Sequence, residues 1–199
     1  MKKSYLLFLL LVYCFSLAWA DQSVSIAVVP LDYDQLKMVD FVVSAINSCY
    51  HVQVTVLPKQ KLPPGSFYRP RQRYRADKIL DHLATSIDGK YQKVLGITGR
   101  DISTTKGDIY DWGIFGLGSL GGRACVVSTF RLKGKASPTL LKQRIAKVVN
   151  HELGHTLGLD HCPTFGCLME DAGGTIKTVD RESGSFCGQC RIKLGGLVK

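Results

Sequence analysis

Between positions 151 and 161 the chain reads HELGHTLGLDH, which gathers three of its five histidines. On a helix, His151 and His155 stand four residues apart and project from one face, so both imidazoles can reach one metal ion. Glu152 is turned partly off that face. This suits a carboxylate that takes a proton from metal-bound water, not one that binds the metal. Gly158, three residues after the second histidine, can adopt the left-handed conformation that ends a helix and reverses the chain, so that His161 returns to the same ion. Three neutral imidazoles leave one position of a tetrahedral Zn²⁺ open for water. At average composition the whole pattern arises by chance on the order of 10⁻⁵ times in a chain of this length, so solvated helical histidines explain it poorly.

HExxHxxGxxH resembles the long zinc motif of the metzincin metalloproteases, and its continuation resembles one branch of them, the archaemetzincins. That branch follows the third histidine at once with a cysteine, then a second cysteine, a methionine and a closing CxxC. Cys162, Cys167, Met169, Cys187 and Cys190 keep this spacing without a gap. The resemblance implies a zinc-dependent peptidase of α/β (α+β) class: a twisted, mostly parallel sheet with an antiparallel edge strand, an active-site helix and a small zinc-stapled C-terminal subdomain. It implies two zinc ions per chain, one catalytic on His151, His155 and His161 with Glu152 as base, the other structural on Cys162, Cys167, Cys187 and Cys190. Met169 would be the Met-turn residue, packed beneath the imidazoles without binding metal. Ile114, Phe115, Gly116 and Leu117 would pair with extended substrate, Gly113 and Gly116 permitting close backbone approach; a plain turn-forming role for these glycines is the alternative. The cysteine chemistry agrees, since a pair five apart in a tight turn and a CxxC at a helix start can converge as a tetrahedron. Two alternatives stay open: disulfides among the four, and a redox role for Cys187 and Cys190, though the nine residues after Cys190 are few for the long helix a redox motif expects.

The elements that must hold these residues alternate. Residues 23–29 read as a buried strand, 34–49 as a helix with Leu36, Val39, Val42, Val43 and Ile46 at helical spacing, and 52–57 as a second strand. Residues 76–87 read as a helix and 93–98 as a third strand, an order that implies a parallel core. Residues 109–120 are rich in glycine and aromatics, and 124–131 read as a further strand. Ser137 and Pro138 predict the cap and first turn of the helix bearing His151, anchored by Leu141, Ile145, Val148 and Val149. Asp160 is the candidate outer partner of the imidazoles, by adjacency.

Residues 1–20 carry Lys2 and Lys3, an apolar run from 5 to 17 and Ala18-Trp19-Ala20, which predict a cleaved signal peptide, a mature chain from Asp21 and export to a periplasm or the exterior. Cys14, after bulky Tyr13, is not expected to carry lipid. Residues 21–157 are expected to form a sheet-and-helix subdomain and 158–199 a C-terminal one. Export favours disulfides where a Cys₄ zinc site needs thiolates; Cys49 and Cys125 read as small buried hydrophobes or as a pair. The net charge is +10, of which the two leader lysines supply two. Much of the rest lies in residues 59–78, where Arg69, Arg71, Arg73 and Arg75 alternate in a stretch that reads as an exposed loop, free in solvent or at a cleft rim, with no nucleic acid expected. The function expected is hydrolysis of peptides or proteins by a monomer without stable membrane insertion. The competing readings are an exported zinc-binding protein that recognises peptides with little turnover, and a zinc-binding or redox protein.

Overall fold

The computed structural model describes residues 23–199, so the leader and Cys14 lie outside the described residues. The strand β1 (Val24–Leu31) is followed by helix α1 (Leu36–Cys49) and strand β2 (Val52–Val56). The pleat of β1 sorts its side chains. Ile26 and Val28 join α1 and the later helices on one face, whereas Ala27, Val29 and Leu31 join a second cluster on the other. Both faces are therefore covered, as a parallel sheet requires.

Two short strands, β3 (Phe67–Tyr68) and β4 (Arg73–Arg75), lead into α2 (Ala76–Ser86), which buries Ile79, Leu80 and Leu83. Then come β5 (Lys93–Thr98), β6 (Ile102–Lys106), β7 (Ile109–Ile114), β8 (Gly116–Gly118) and β9 (Ala124–Ser128). The main sheet runs β2-β1-β5-β9-β8, parallel except for β8, which is antiparallel to β9 and ends the sheet. An antiparallel edge strand is thus present, but Ile114 closes β7 and pairs with Ile102 in a second sheet, β3-β4-β6-β7. The edge strand starts two residues, and ends one residue, after the predicted stretch 114–117.

The second sheet corrects the reading of residues 59–78 as a solvated loop. Arg73 donates to Asp101 at 2.8 Å, and Asp101 also takes both arms of Arg131, at 2.6 and 2.9 Å. Arg75 is only 3% exposed; it donates to Thr105 at 2.9 Å and lies 4.0 Å from the centroid of the Tyr110 ring. A buried guanidinium persists only when its donors are paired, and these partners sit some thirty residues away in sequence. After β9 the chain forms α3 (Phe130–Lys133), where the sequence predicts continued strand, then α4 (Pro138–Thr156), α5 (Ile176–Arg181) and α6 (Gly188–Leu194). Cys49 and Cys125 are both unbonded, and Cys125 is fully buried on β9. No helix among the described residues is long and apolar enough to cross a membrane.

Candidate active site

Ser137 opens α4, its Oγ accepting the Leu140 N–H at 3.2 Å with Pro138 in the first turn. Ile145, Val148, Val149 and Leu153 are buried, and half-buried Leu141 packs at their edge. The helix closes at Gly158, whose φ is +93°. Its N–H reaches the His155 carbonyl and the Leu159 N–H reaches the Gly154 carbonyl, both at 2.9 Å. That reversal swings His161 back. His151, His155 and His161 each offer a ring nitrogen, and these lie within 4.8 Å of one another.

Two main-chain carbonyls orient the imidazoles. His151 Nδ1 lies 2.7 Å from the Leu168 carbonyl and His155 Nδ1 lies 2.8 Å from the Leu159 carbonyl. A carbonyl oxygen only accepts, so both Nδ1 atoms carry the proton and both Nε2 atoms present a lone pair. Those Nε2 atoms face each other at 3.0 Å. Two lone pairs at that distance repel unless a cation lies between them, so the donor set fits a zinc ion. Burial pushes His151 down to about 4 and lowers His155 as well, keeping both rings neutral, as metal ligands must be. Asp160 has a different task from the one expected: its Oδ1 accepts the backbone N–H of His161 at 2.8 Å, capping the turn.

The sulfurs of Cys162, Cys167, Cys187 and Cys190 also converge within 4.8 Å. Cys162 and Cys187 are 3.7 Å apart, Cys167 and Cys190 3.8 Å. A disulfide needs about 2.05 Å, whereas thiolates about 2.3 Å from a common tetrahedral zinc stand roughly 3.8 Å apart. Main-chain N–H groups of Met169 and Cys187 point at Cys167 Sγ, at 3.5 and 3.4 Å. The N–H of Cys190 pulls the Cys187 thiol down to about 6, whereas burial raises the Cys167 and Cys190 thiols, so thiolates at those two positions depend on a bound cation.

Glu152 is buried beneath β8. Burial pushes its carboxyl up to about 8, partly offset by the Gly118 N–H that it accepts. The glycines of β8 permit this contact. A Cβ on Gly116 would lie 2.6 Å from Glu152 Cγ, and one on Gly118 would lie 2.5 Å from the Glu152 carbonyl. The close approach at Gly116 is therefore to the active-site helix, and at Gly113 it is to the Arg131 guanidinium, 2.2 Å from a hypothetical Cβ.

The model of peptidase family M54 matches residues 24–195. The archaemetzincin of Halobacterium salinarum is 35% identical over 156 residues, covering 74% of this chain and 86% of that one. Among solved structures, the archaemetzincin of Archaeoglobus fulgidus superposes with a TM-score of 0.72 at 31% identity, over 85% of this chain and 99% of that one. That of Methanopyrus kandleri gives 0.71 at 31%, over 87% and 95%. The chain belongs to peptidase family M54. It is a zinc metallopeptidase acting on peptides or proteins, and a binding protein without turnover is not the favoured reading.

In this M54 peptidase a cavity of about 400 Å³ runs along β8 over the three histidines. None of Arg69, Arg71, Arg73 and Arg75 lines it. Phe115, Gly116, Leu117, Val148, Leu168 and Asp171 do. Asp171 escaped the sequence reading, because nothing in its spacing marks it; its Oδ1 stands 4.0 Å from His161 Nε2. Gly154 escaped as well, as one of the variable positions inside HExxH. Met169 is fully buried, and a Cβ on Gly154 would lie 2.6 Å from its Sδ. Gly154→Ala is expected to cost about 1–3 kcal/mol through overpacking, read by denaturant titration against Gly65→Ala, where nothing lies within 4 Å. Equal stabilities would mean that Met169 does not pack tightly against α4.

Proposed function

We propose that the M54 peptidase hydrolyses peptide bonds with Glu152 as its proton-transfer group, on a catalytic zinc held by His151, His155 and His161, and that Cys162, Cys167, Cys187 and Cys190 hold a second, structural zinc. The observation that carries this reading is the placement of the Glu152 carboxyl, buried, pinned by the Gly118 N–H and one residue from the first imidazole. Zinc supplies Lewis acidity to the attacking water and the scissile carbonyl when bound. The base role needs the ionised carboxylate, which burial disfavours and which the positive charge of a bound zinc would favour. Glu152 takes one proton of the water as oxygen adds to the carbonyl carbon. It returns that proton to the nitrogen as the C–N bond breaks, so a carboxylic acid and an amine leave. Substrate backbone pairs at Gly116 on the open edge of β8, with Phe115 and Leu117 flanking it and Ile114 supporting from β7. Residues 158–199 act as the zinc-stapled part beneath the cleft, with Met169 under the imidazoles. We further propose that residues 1–20 are a cleaved leader and that the mature chain works outside the cytoplasm, a reading supported by Lys2, Lys3, the apolar run and Ala18-Trp19-Ala20.

Elemental analysis tests the metal content. Two zinc ions per chain are expected, one lost quickly to a chelator together with peptide hydrolysis and one retained, since an open His₃ site exchanges faster than a closed thiolate site. His155→Ala is expected to leave about one zinc. A wild-type count of one, unchanged by that substitution, would remove the catalytic zinc from the scheme.

A further inference from the structure

The cleft along β8 has unlike ends. Phe115 and Ser119 turn polar main-chain groups toward β9, the Phe115 carbonyl accepting from Ser128 at 2.8 Å and the Ser119 N–H reaching Ala124 at 3.1 Å. Alternation then turns Gly116 and Gly118 away from β9, the Gly118 N–H being taken by Glu152 and Gly116 left on the open edge. Beyond the C-terminal end of β8, Leu120 is 58% exposed. At the N-terminal end the cleft is bridged: the Trp112 indole of β7 lies against Gly174, where a Cβ would meet Trp112 Cζ2 at 3.0 Å. Trp112 and Gly174 both line the cavity, so they wall it on that side. Beside this wall stands a cation. Lys106, an exposed residue, lines the cavity with its Nζ 5.2 Å from the centroid of the Trp112 ring, and its positive charge also acts on the Asp171 carboxylate.

An extended peptide adds to a free edge more strongly in the antiparallel sense. Antiparallel to β8, its C-terminal residues run toward Trp112 and its N-terminal residues run out past Leu120. We propose that this peptidase cleaves near the C-terminus of its substrates, releasing short fragments whose free carboxylate is taken by Lys106 at the Trp112–Gly174 wall. The inference rests on the peptidase reading above and adds the substrate class: peptides with a free C-terminal carboxylate. Thr104 adds a hydroxyl to the same cavity. Asp171, beside His161 at 4.0 Å, is the acidic group able to take an amino terminus instead, so N-terminal trimming is the competing outcome.

The test uses unstructured peptides in free, N-acetylated, C-amidated and doubly blocked forms. With the zinc-loaded wild type, mass spectrometry is expected to find products cut close to the C-terminus, with kcat/KM falling at least about tenfold on amidation and little on acetylation, as expected for loss of a charge-assisted contact. With zinc-loaded Glu152→Gln, calorimetry is expected to give the same preference in Kd, so binding reports even without turnover. Lys106→Met should erase the preference for the free acid, and Trp112→Ala should admit cuts farther from the C-terminus. Internal cutting of doubly blocked peptides at undiminished rate, stepwise N-terminal trimming, or equal Kd for acid and amide would each overturn the proposal while leaving the peptidase reading intact. A preference in Kd with no hydrolysis of any peptide would sustain the end recognition and sink the peptidase reading.

Discussion

Glu152→Gln is expected to leave zinc bound and to lower peptide hydrolysis at least about 10²-fold, the lower end of what general acid–base catalysis contributes. Gln keeps the size of the side chain, and its amide oxygen can still accept the Gly118 N–H, so β8 and α4 hold their separation. The Nδ1 contacts to Leu168 and Leu159 that orient His151 and His155 are untouched. What is lost is the ability to take and return a proton at one buried oxygen. Zinc content, melting temperature and peptide Kd should therefore match wild type while kcat falls. A variant within about tenfold of wild-type turnover would place the base elsewhere in the cleft.

The histidine constellation was legible because local rules encode it, whereas the cysteine set and the antiparallel edge strand were implied by the resemblance to the metzincins. His151 to His155 is one helical turn, and the left-handed closure at Gly158 is a conformation that glycine adopts without strain. The strands β1, β5 and β9 read correctly because strands buried on both faces are nearly continuous in β-branched and apolar residues. What was not legible depends on pairings across long separations. Arg73 and Arg75 read as solvated because the groups that pair them, Asp101 and Thr105, belong to a strand pair formed later in the chain. The Leu168 and Leu159 carbonyls that orient the imidazoles were not legible, because main-chain acceptors leave no mark in a sequence, and adjacency alone pointed to Asp160. Gly113 and Gly116 were recognised as sites of close approach, yet the approaching groups proved to be Arg131 and Glu152 of the protein itself.

Cys187→Ser is expected to cost on the order of 3 kcal/mol or more of stability, because a structural zinc contributes its binding free energy to folding, and His151→Ala about 1 kcal/mol, the worth of one hydrogen bond. The segment from Cys162 to Cys190 has little else to hold it. Leu168, Met169, Val179 and Phe186 are buried, but Phe165 is 73% exposed. Its order runs through the cysteines: the Cys162 N–H bonds the Met169 carbonyl at 2.8 Å, and the N–H groups of Met169 and Cys187 converge on Cys167. His151, by contrast, sits on a helix whose anchoring residues belong to the main core. The two variants are coupled in one direction only. Loosening residues 162–190 withdraws the Leu168 carbonyl from His151 and Met169 from beneath Gly154, so Cys187→Ser should lose hydrolysis as well as stability, whereas His151→Ala should lose hydrolysis and lower its melt by only about 2–4 °C. Thermal melts and limited proteolysis decide it. Equal destabilisation, or a more stable cysteine variant, would show that the thiol cluster does not organise the floor of the active site.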